Sequence, residues 1–248
     1  MVAPLFFAEK LTSLTTGSEF VLDGPEGKHA AVVRRMRAGE SIQLTDGKGF
    51  RAIGTVSKVD GAKVVVSVSE TLVEDLPKLQ LTLVQALAKG DRDELAVQAA
   101  TELGALKVIP WQATRSISRW EGPKADKGRA RWQTIATEAA KQSLRVWEPQ
   151  VQSMVSTKEF CRLVQEFDAV LVLDPTSDTA MTSLSDLNGR IAIVVGPEGG
   201  IDEHELKEFE SAGAKRVHLG SGILRTSTAG LAAISYLVGS SGLWDSAE

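Results

Sequence analysis

Ile191 to Gly200 reads IAIVVGPEGG, and Leu219 to Gly230 reads LGSGILRTSTAG. In each stretch a short apolar run enters a glycine-containing turn, and a helix-forming segment follows. A strand that feeds a helix through such a turn is the unit of an α/β sheet, and the turn presents backbone N–H groups to a ligand. One such turn has a purely conformational explanation, because glycine tolerates the backbone angles that strand ends often require. Two of them after neighbouring strand candidates suggest a shared pocket.

Outward from these loops, strand and helix candidates alternate. Leu79 to Leu87, Lys107 to Trp111, Ala169 to Leu173, Ile191 to Val195 and Arg216 to Leu219 read as strands. Asp91, with Glu94 three residues on, is expected to cap a helix whose apolar stripe is Leu95, Ala99 and Leu103 and which Gly104 ends. Trp132, Ile135, Ala136, Ala139, Ser143 and Val146 mark one face of a long helix that Pro149 terminates, with Arg131, Lys141 and Arg145 on the other face. Asp202 with Glu205 caps a helix to Ala212. Thr226 to Val238 is an apolar helix of small residues, suited to close helix packing or a subunit interface. This alternation predicts a mostly parallel sheet with helices on both faces.

The first part of the chain reads differently. Ser41 to Thr45, Arg51 to Val59 and Ala62 to Thr71 are β-branched and partly alternating, with Asp46-Gly47 and Asp60-Gly61 as hairpin turns. They predict a meander or small barrel. Within it, Lys28 to Arg37 reads as a short helical stretch with a basic end. Arg34, Arg35 and Arg37 cannot all be buried, and guanidinium groups suit phosphate and stacked bases. His29 reads as an RNA contact or as a surface or capping histidine. The polar link Glu74-Asp75-Leu76-Pro77 marks the expected boundary, giving domains 1–73 and 78–248.

With 248 residues, 43% of them hydrophobic, the chain has enough apolar material for one large core or two modest ones. No apolar run approaches the roughly 20 residues of a membrane span, and no signal-peptide pattern opens the chain, so a cytoplasmic location is the default. The lone cysteine, Cys161, forms no intrachain disulfide and no zinc cluster. The net charge of −4 is unevenly spread: residues 78–145 carry 12 basic and 7 acidic side chains, whereas 148–248 carry 7 and 15. A polyanionic partner would therefore meet the first two thirds, unless the charges are simply solvated helix faces.

Several chemistries lack their residues. There is no Walker loop, no dinucleotide Gly-x-Gly-x-x-Gly spacing and no nucleophile elbow. His29, His204 and His218 are not in a metal-ligand spacing, so no metal site is expected. What remains is a pocket of backbone amides and apolar side chains with Glu198 and Arg225 on its loops. It suits a neutral or zwitterionic adenosine-like ligand better than a triphosphate.

GPEGG before a capped helix, with LG-x-x-ILRT-x-TA opening the last helix, resembles the signature of the RsmE-type 16S ribosomal RNA uridine-N3 methyltransferases of the SPOUT superfamily. Lys89-Gly-Asp-Arg, Thr101-Glu-Leu-Gly, Arg131-Trp-Gln-Thr-Ile-Ala, Glu138-Ala-Ala-Lys-Gln-Ser and the His29 to Met36 stretch extend the likeness over nearly the whole chain in family order. The resemblance implies an α/β fold with an N-terminal PUA-like β-barrel for RNA and a C-terminal SPOUT domain carrying a deep trefoil knot. It implies S-adenosylmethionine as cofactor, 16S ribosomal RNA in the small subunit as partner, and a homodimer. Carried onto this chain, Leu173, Val195, Gly196, Glu198, Gly199, Gly200, Leu219, Gly220, Ile223, Leu224 and Thr226 would form the cofactor pocket. Lys28, His29, Arg34, Arg35 and Arg37 would bind RNA. Arg225 would stabilise charge on the uracil, and Glu198 is either the base that takes the N3 proton or an acceptor of loop N–H groups. Three departures stand out: Ser227 replaces the usual glutamate, Arg34 occupies a usually apolar position, and Leu5 stands where an arginine often precedes the aromatic pair Phe6 and Phe7. A SPOUT enzyme on another RNA site and a noncatalytic RNA-binding protein are the alternatives.

Overall fold

The computed structural model describes residues 2–185 and 187–244, and the chain falls into two compact units. The first holds the residues up to Leu76 together with Ala140–Glu148, and the second holds Pro77–Ala139 and the residues from Pro149 on. The 140–148 segment lies in sequence inside the stretch read as the second domain.

In the first unit, β1 (Leu5–Phe7), β2 (Glu19–Leu22), β3 (Ser41–Thr45), β4 (Phe50–Asp60) and β5 (Lys63–Val73) form one sheet in the order β1-β3-β4-β5-β2. The β1–β3 pair is parallel and the other pairings are antiparallel. Their inward residues, among them Phe6, Ile42, Leu44, Val64 and Val66, are buried around Leu11 and Met36. The basic stretch is not one helix. Helix α1 (Gly24–Lys28) passes into a π-helical turn over His29–Val33, and Arg35 stops it with φ +55°.

The 140–148 segment is bonded into this unit at several points. Arg51 donates to the Leu144 carbonyl, Thr45 to the Val146 carbonyl and Trp147 to the Glu74 carbonyl. Lys141, expected on a solvated helix face, is buried and donates to Glu26 at 2.5 Å. A buried ammonium needs such a partner to offset its lost hydration.

The second unit is built on β6 (Leu79–Ala86), β7 (Ala105–Gln112), β8 (Gln150–Val151), β9 (Val155–Ser156), β10 (Ala169–Leu173), β11 (Gly189–Val195) and β12 (Lys215–Val217). They run in the order β12-β10-β11-β6-β7-β8, with β9 also on β7, and every pairing is parallel. Such a sheet is covered on both faces, which explains why IAIVV is apolar throughout. Ile191, Ile193 and Val195 pack toward α6 (Thr226–Ser240) and α2 (Arg92–Glu102). Ala192 and Val194 pack on the other face, in a cluster with Phe160 of α4 (Thr157–Leu163) and Phe209 of α5 (Glu203–Ser211). Among the described residues, no helix is long and apolar enough to cross a membrane.

Three local expectations change. The buried face of α2 is Ala96, Val97, Ala100 and Thr101, while Leu95 is 52% exposed. Small residues suit that face because α2 packs against both α6 and the strands β6 and β7, and close packing favours alanine over leucine. At its N-terminus the Asp91 side chain makes no cap bond. Asp93 instead accepts from the Ala88 N–H at 3.0 Å, inside the preceding loop. Helix α3 (Pro123–Gln142) ends well before Pro149, and Leu144 takes φ +57° as the chain leaves it.

Candidate active site

Because the strands of the second unit are parallel, the loops after β10, β11 and β12 emerge at one edge of the sheet. That edge is where open α/β sheets place their ligands. A cavity of about 700 Å³ opens there, within the roughly 300–1,000 Å³ typical of small-molecule sites. Its walls are the strand ends Leu173 and Val195, the loop residues Gly196, Glu198, Gly199 and Gly200, and Leu219, Ile223 and Leu224 of the second loop. Arg225 and Thr226, where α6 begins, complete them.

Gly220 is the one residue of the expected pocket set that does not line the cavity. It makes the turn instead, with φ +115°, and its N–H donates to Nδ1 of His218 at 3.0 Å. Gly222 takes its place in the wall.

The first loop is tied down along its length. Thr226 Oγ1 donates to the Gly196 carbonyl at 2.7 Å and accepts from Gln85 Nε2 at 2.9 Å. Oε1 of Glu198 accepts from the Lys89 backbone N–H at 2.9 Å and from Arg92 at 3.3 Å. Arg115 donates to the Gly199 carbonyl at 3.2 Å and to Asp202 at 3.0 Å. Asp202 also caps α5, accepting from the His204 N–H, while Glu205 accepts from the Asp202 N–H. The His204 N–H, joined by the Arg115 guanidinium, holds the Asp202 carboxyl below its ordinary pKa despite some desolvation.

Asp174, at the end of β10, also lines the cavity. Burial pushes its pKa up, but the Thr176 N–H, the Arg216 guanidinium and the Thr176 hydroxyl together outweigh it and hold the carboxyl ionised below its ordinary value. By contrast, burial dominates at Asp93 and raises its pKa despite backbone N–H bonds from Ala88, Glu94 and its own residue.

Arg225 precedes the first residue of α6 and makes no side-chain cap bond. Its backbone carbonyl accepts from Thr228 and Ala229, and no ion pair holds its exposed guanidinium among the described residues. Ser227 is buried in the first turn of α6 and does not cap it, since the cap position is Arg225. In the first unit, Lys28, Arg34, Arg35 and Arg37 are exposed, and His29 is half-buried edge-on to Phe6.

Arg92, Arg115, Asp174 and His218 reach the cavity without having been expected there. Arg92 lies in the Lys89-Gly-Asp-Arg stretch, which carried a signal. Arg115 follows β7, two strands from β11 in the sheet, and only the strand order brings it to the loop.

Residues 74–238 match the family model of an RNA methyltransferase domain, and residues 22–69 match that of an RNA methyltransferase PUA domain. Fold and cavity thus define an RNA methyltransferase with a PUA-like N-terminal unit. The ribosomal RNA small subunit methyltransferase E of Mycobacterium bovis is 39% identical over 99% of this chain and 95% of its own length. That of Bacillus subtilis is 36% identical over 87% of this chain and 88% of its own. Among solved structures, ribosomal RNA small subunit methyltransferase E from Neisseria gonorrhoeae bound to S-adenosyl methionine matches with a TM-score of 0.86 at 30% identity, covering 96% of this chain and 98% of that one. The putative methyltransferase of Legionella pneumophila in complex with the same cofactor has a TM-score of 0.86 at 26% identity, covering 97% and 98%. The chain belongs to the ribosomal RNA small subunit methyltransferase E family.

Proposed function

We propose that this protein methylates N3 of a uridine in the decoding region of 16S ribosomal RNA, using S-adenosylmethionine bound in the cavity. The observation that carries the reading is the cavity itself, walled by two glycine loops and capped by an arginine without an ion partner among the described residues. The walls fit the cofactor. A Cβ on Gly200 or Gly222 would meet nothing within 4 Å, so the backbone leaves room for a ligand to approach closely. Ile223 and Leu224 are 83% and 43% exposed on the rim, apolar surface that an adenosine moiety would cover.

When bound, S-adenosylmethionine supplies an electrophilic methyl group on a sulfonium. As uracil N3 loses its proton, negative charge grows on the neighbouring oxygens, and the Arg225 guanidinium is the fixed cation placed to stabilise it. Glu198 acts as a positioning residue. Its Oε1 is already occupied by the Lys89 N–H and Arg92, which hold the first loop at the α2 terminus. Lys28, His29, Arg34, Arg35 and Arg37 bind RNA through the first unit. The working form is a homodimer acting on the small subunit. The C-terminal chain is threaded as a knot, a reading supported by its path from β12 at the sheet edge to α6 on β6 and β11, and by the bridge of Ala180 to His218.

The test is methylation of small subunits from a strain lacking the enzyme, followed by nucleoside mass spectrometry. Appearance of N3-methyluridine is expected. Formation of a different methylated nucleoside would move the target, and no methylation by a protein that binds S-adenosylmethionine would overturn the assignment to this RNA.

A further inference from the structure

The loop after β7, residues 113–122, and the first turns of α3 carry Arg115, Arg119, Lys124, Lys127, Arg129 and Arg131, all exposed, against Glu121 and Asp126. Arg115 and Arg131 are paired with Asp202 and Glu94. Among the described residues, Arg119, Lys124, Lys127 and Arg129 have no carboxylate partner. Three of these four lie in the first two turns of α3, where the helix macrodipole is positive and disfavours cations. Glu121 before the helix and Asp126 in its first turn offset only part of this charge, and a net excess of cations remains.

The surface is also built to hold its shape. The Gln112 side chain clamps the loop, donating to the Ser118 carbonyl at 3.1 Å and accepting from the Trp120 N–H at 3.3 Å. Trp120 packs edge-on to Trp132 of α3 at 5.0 Å, and Gly128 is required beneath it because a Cβ there would strike the indole. Yet this clamped loop leaves Ile117 71% exposed between two arginines. An ordered loop that spends an isoleucine on solvent beside unpaired cations has the composition of a binding face. Its inner end, Arg115, touches the cavity loop at Gly199, so the basic track starts at the cavity mouth.

We propose that loop 113–122 and the start of α3 form a second RNA-binding surface, which carries the substrate strand past the cavity mouth. Arg119, Lys124, Lys127 and Arg129 contact phosphates, and Ile117 packs against an unstacked base. RNA is the occupant because the partner must be a polyanion and must end at a cavity whose reaction, on the reading above, is on a nucleobase. The proposal rests on that reading.

The experiment measures binding of a fluorescent single-stranded 16S ribosomal RNA fragment across a salt series, with S-adenosylmethionine binding followed by calorimetry in parallel. For Arg119→Ala/Lys124→Ala/Lys127→Ala/Arg129→Ala, RNA affinity should fall by more than about tenfold. The salt slope should shrink by about 0.7 per lost contact, while cofactor affinity stays unchanged. Ile117→Ser should weaken RNA binding without changing the salt slope. Unaltered RNA affinity and salt slope in the quadruple variant, with cofactor binding intact, would overturn the proposal. If the wild-type protein bound no RNA fragment at all, the surface proposal alone would fall, whereas failure to methylate small subunits would overturn the proposed function, and the two failures are thereby told apart.

Discussion

The two glycine loops read alike in sequence and stand in contrast in the fold. The 196–200 loop is held by Thr226, Lys89, Arg92 and Arg115, and a Cβ on Gly196 would meet Ile201 at 2.6 Å. The 219–225 loop has the His218–Gly220 bond and the first turn of α6 at its ends, and between them Ile223 and Leu224 face solvent. One wall of the cavity is fixed and the other is open. On the proposed reading, the fixed wall would set where the cofactor sits, and the open wall would offer the apolar surface that the cofactor covers. Gly196 and Gly199 of the first loop lie close against Ile201 and Arg115, whereas Gly220 and Gly222 of the second have open space around them.

Removing the charge from the open wall should have the largest effect. Arg225→Ala is expected to lower kcat by about 100-fold or more, the usual cost of losing one transition-state charge stabiliser, with S-adenosylmethionine affinity retained in calorimetry. Equal loss of both would make Arg225 structural. On the fixed wall, Gly196→Val drives side-chain atoms into Ile201 and should destabilise the protein by about 1–3 kcal/mol, read as a lower midpoint in thermal melts. Gly222→Val on the open wall meets no neighbour and should melt within about 2 °C of wild type, as small ΔΔG values do at this chain length. It should bind the cofactor more weakly because it narrows the cavity. If both glycine variants behaved alike, the contrast between the walls would be wrong.

Glu198 separates positioning from proton transfer. Glu198→Gln keeps an acceptor for the Lys89 N–H and should retain most turnover, whereas Glu198→Ala frees the loop and weakens cofactor binding. A collapse of kcat in Glu198→Gln at full cofactor affinity would make Glu198 the base. The smallest effect expected is at Asp174. Its folded-state pKa lies below the ordinary 3.8, so its contribution to stability is present above that value and is lost as pH falls through the folded pKa. The melting difference between wild type and Asp174→Asn should therefore be steady from pH 7 to 5 and shrink below about 4. A difference that grew on acidification would contradict the ion pair with Arg216.

Strands were the most legible part of the chain. Ser41–Thr45 and Ala169–Leu173 form strands at the residues where their apolar and β-branched runs place them, because strand signals are local and one face or both is buried. Helix faces were less so. The periodicity of α2 places its apolar stripe at Leu95, Ala99 and Leu103, but packing buries Ala96, Val97 and Ala100 and leaves Leu95 outside, and that depends on a neighbour, α6, more than a hundred residues away. The end of α3 was placed at Pro149, although tertiary bonds from Arg51 and Thr45 hold residues 144–146 outside the helix.

The sequence by itself determined the alternating elements, the glycine turns and the family signature that they carry, since these depend on residues close together in the chain. Tertiary structure alone decided which of those residues share a cavity. Parallel strand order brings Leu173, Val195 and Thr226 together, adds Arg92 and Arg115 from distant loops, and turns Gly220 away from the wall. It also decided that one glycine loop is locked and the other open, because hydrogen-bond partners are supplied by segments that sequence spacing does not reveal.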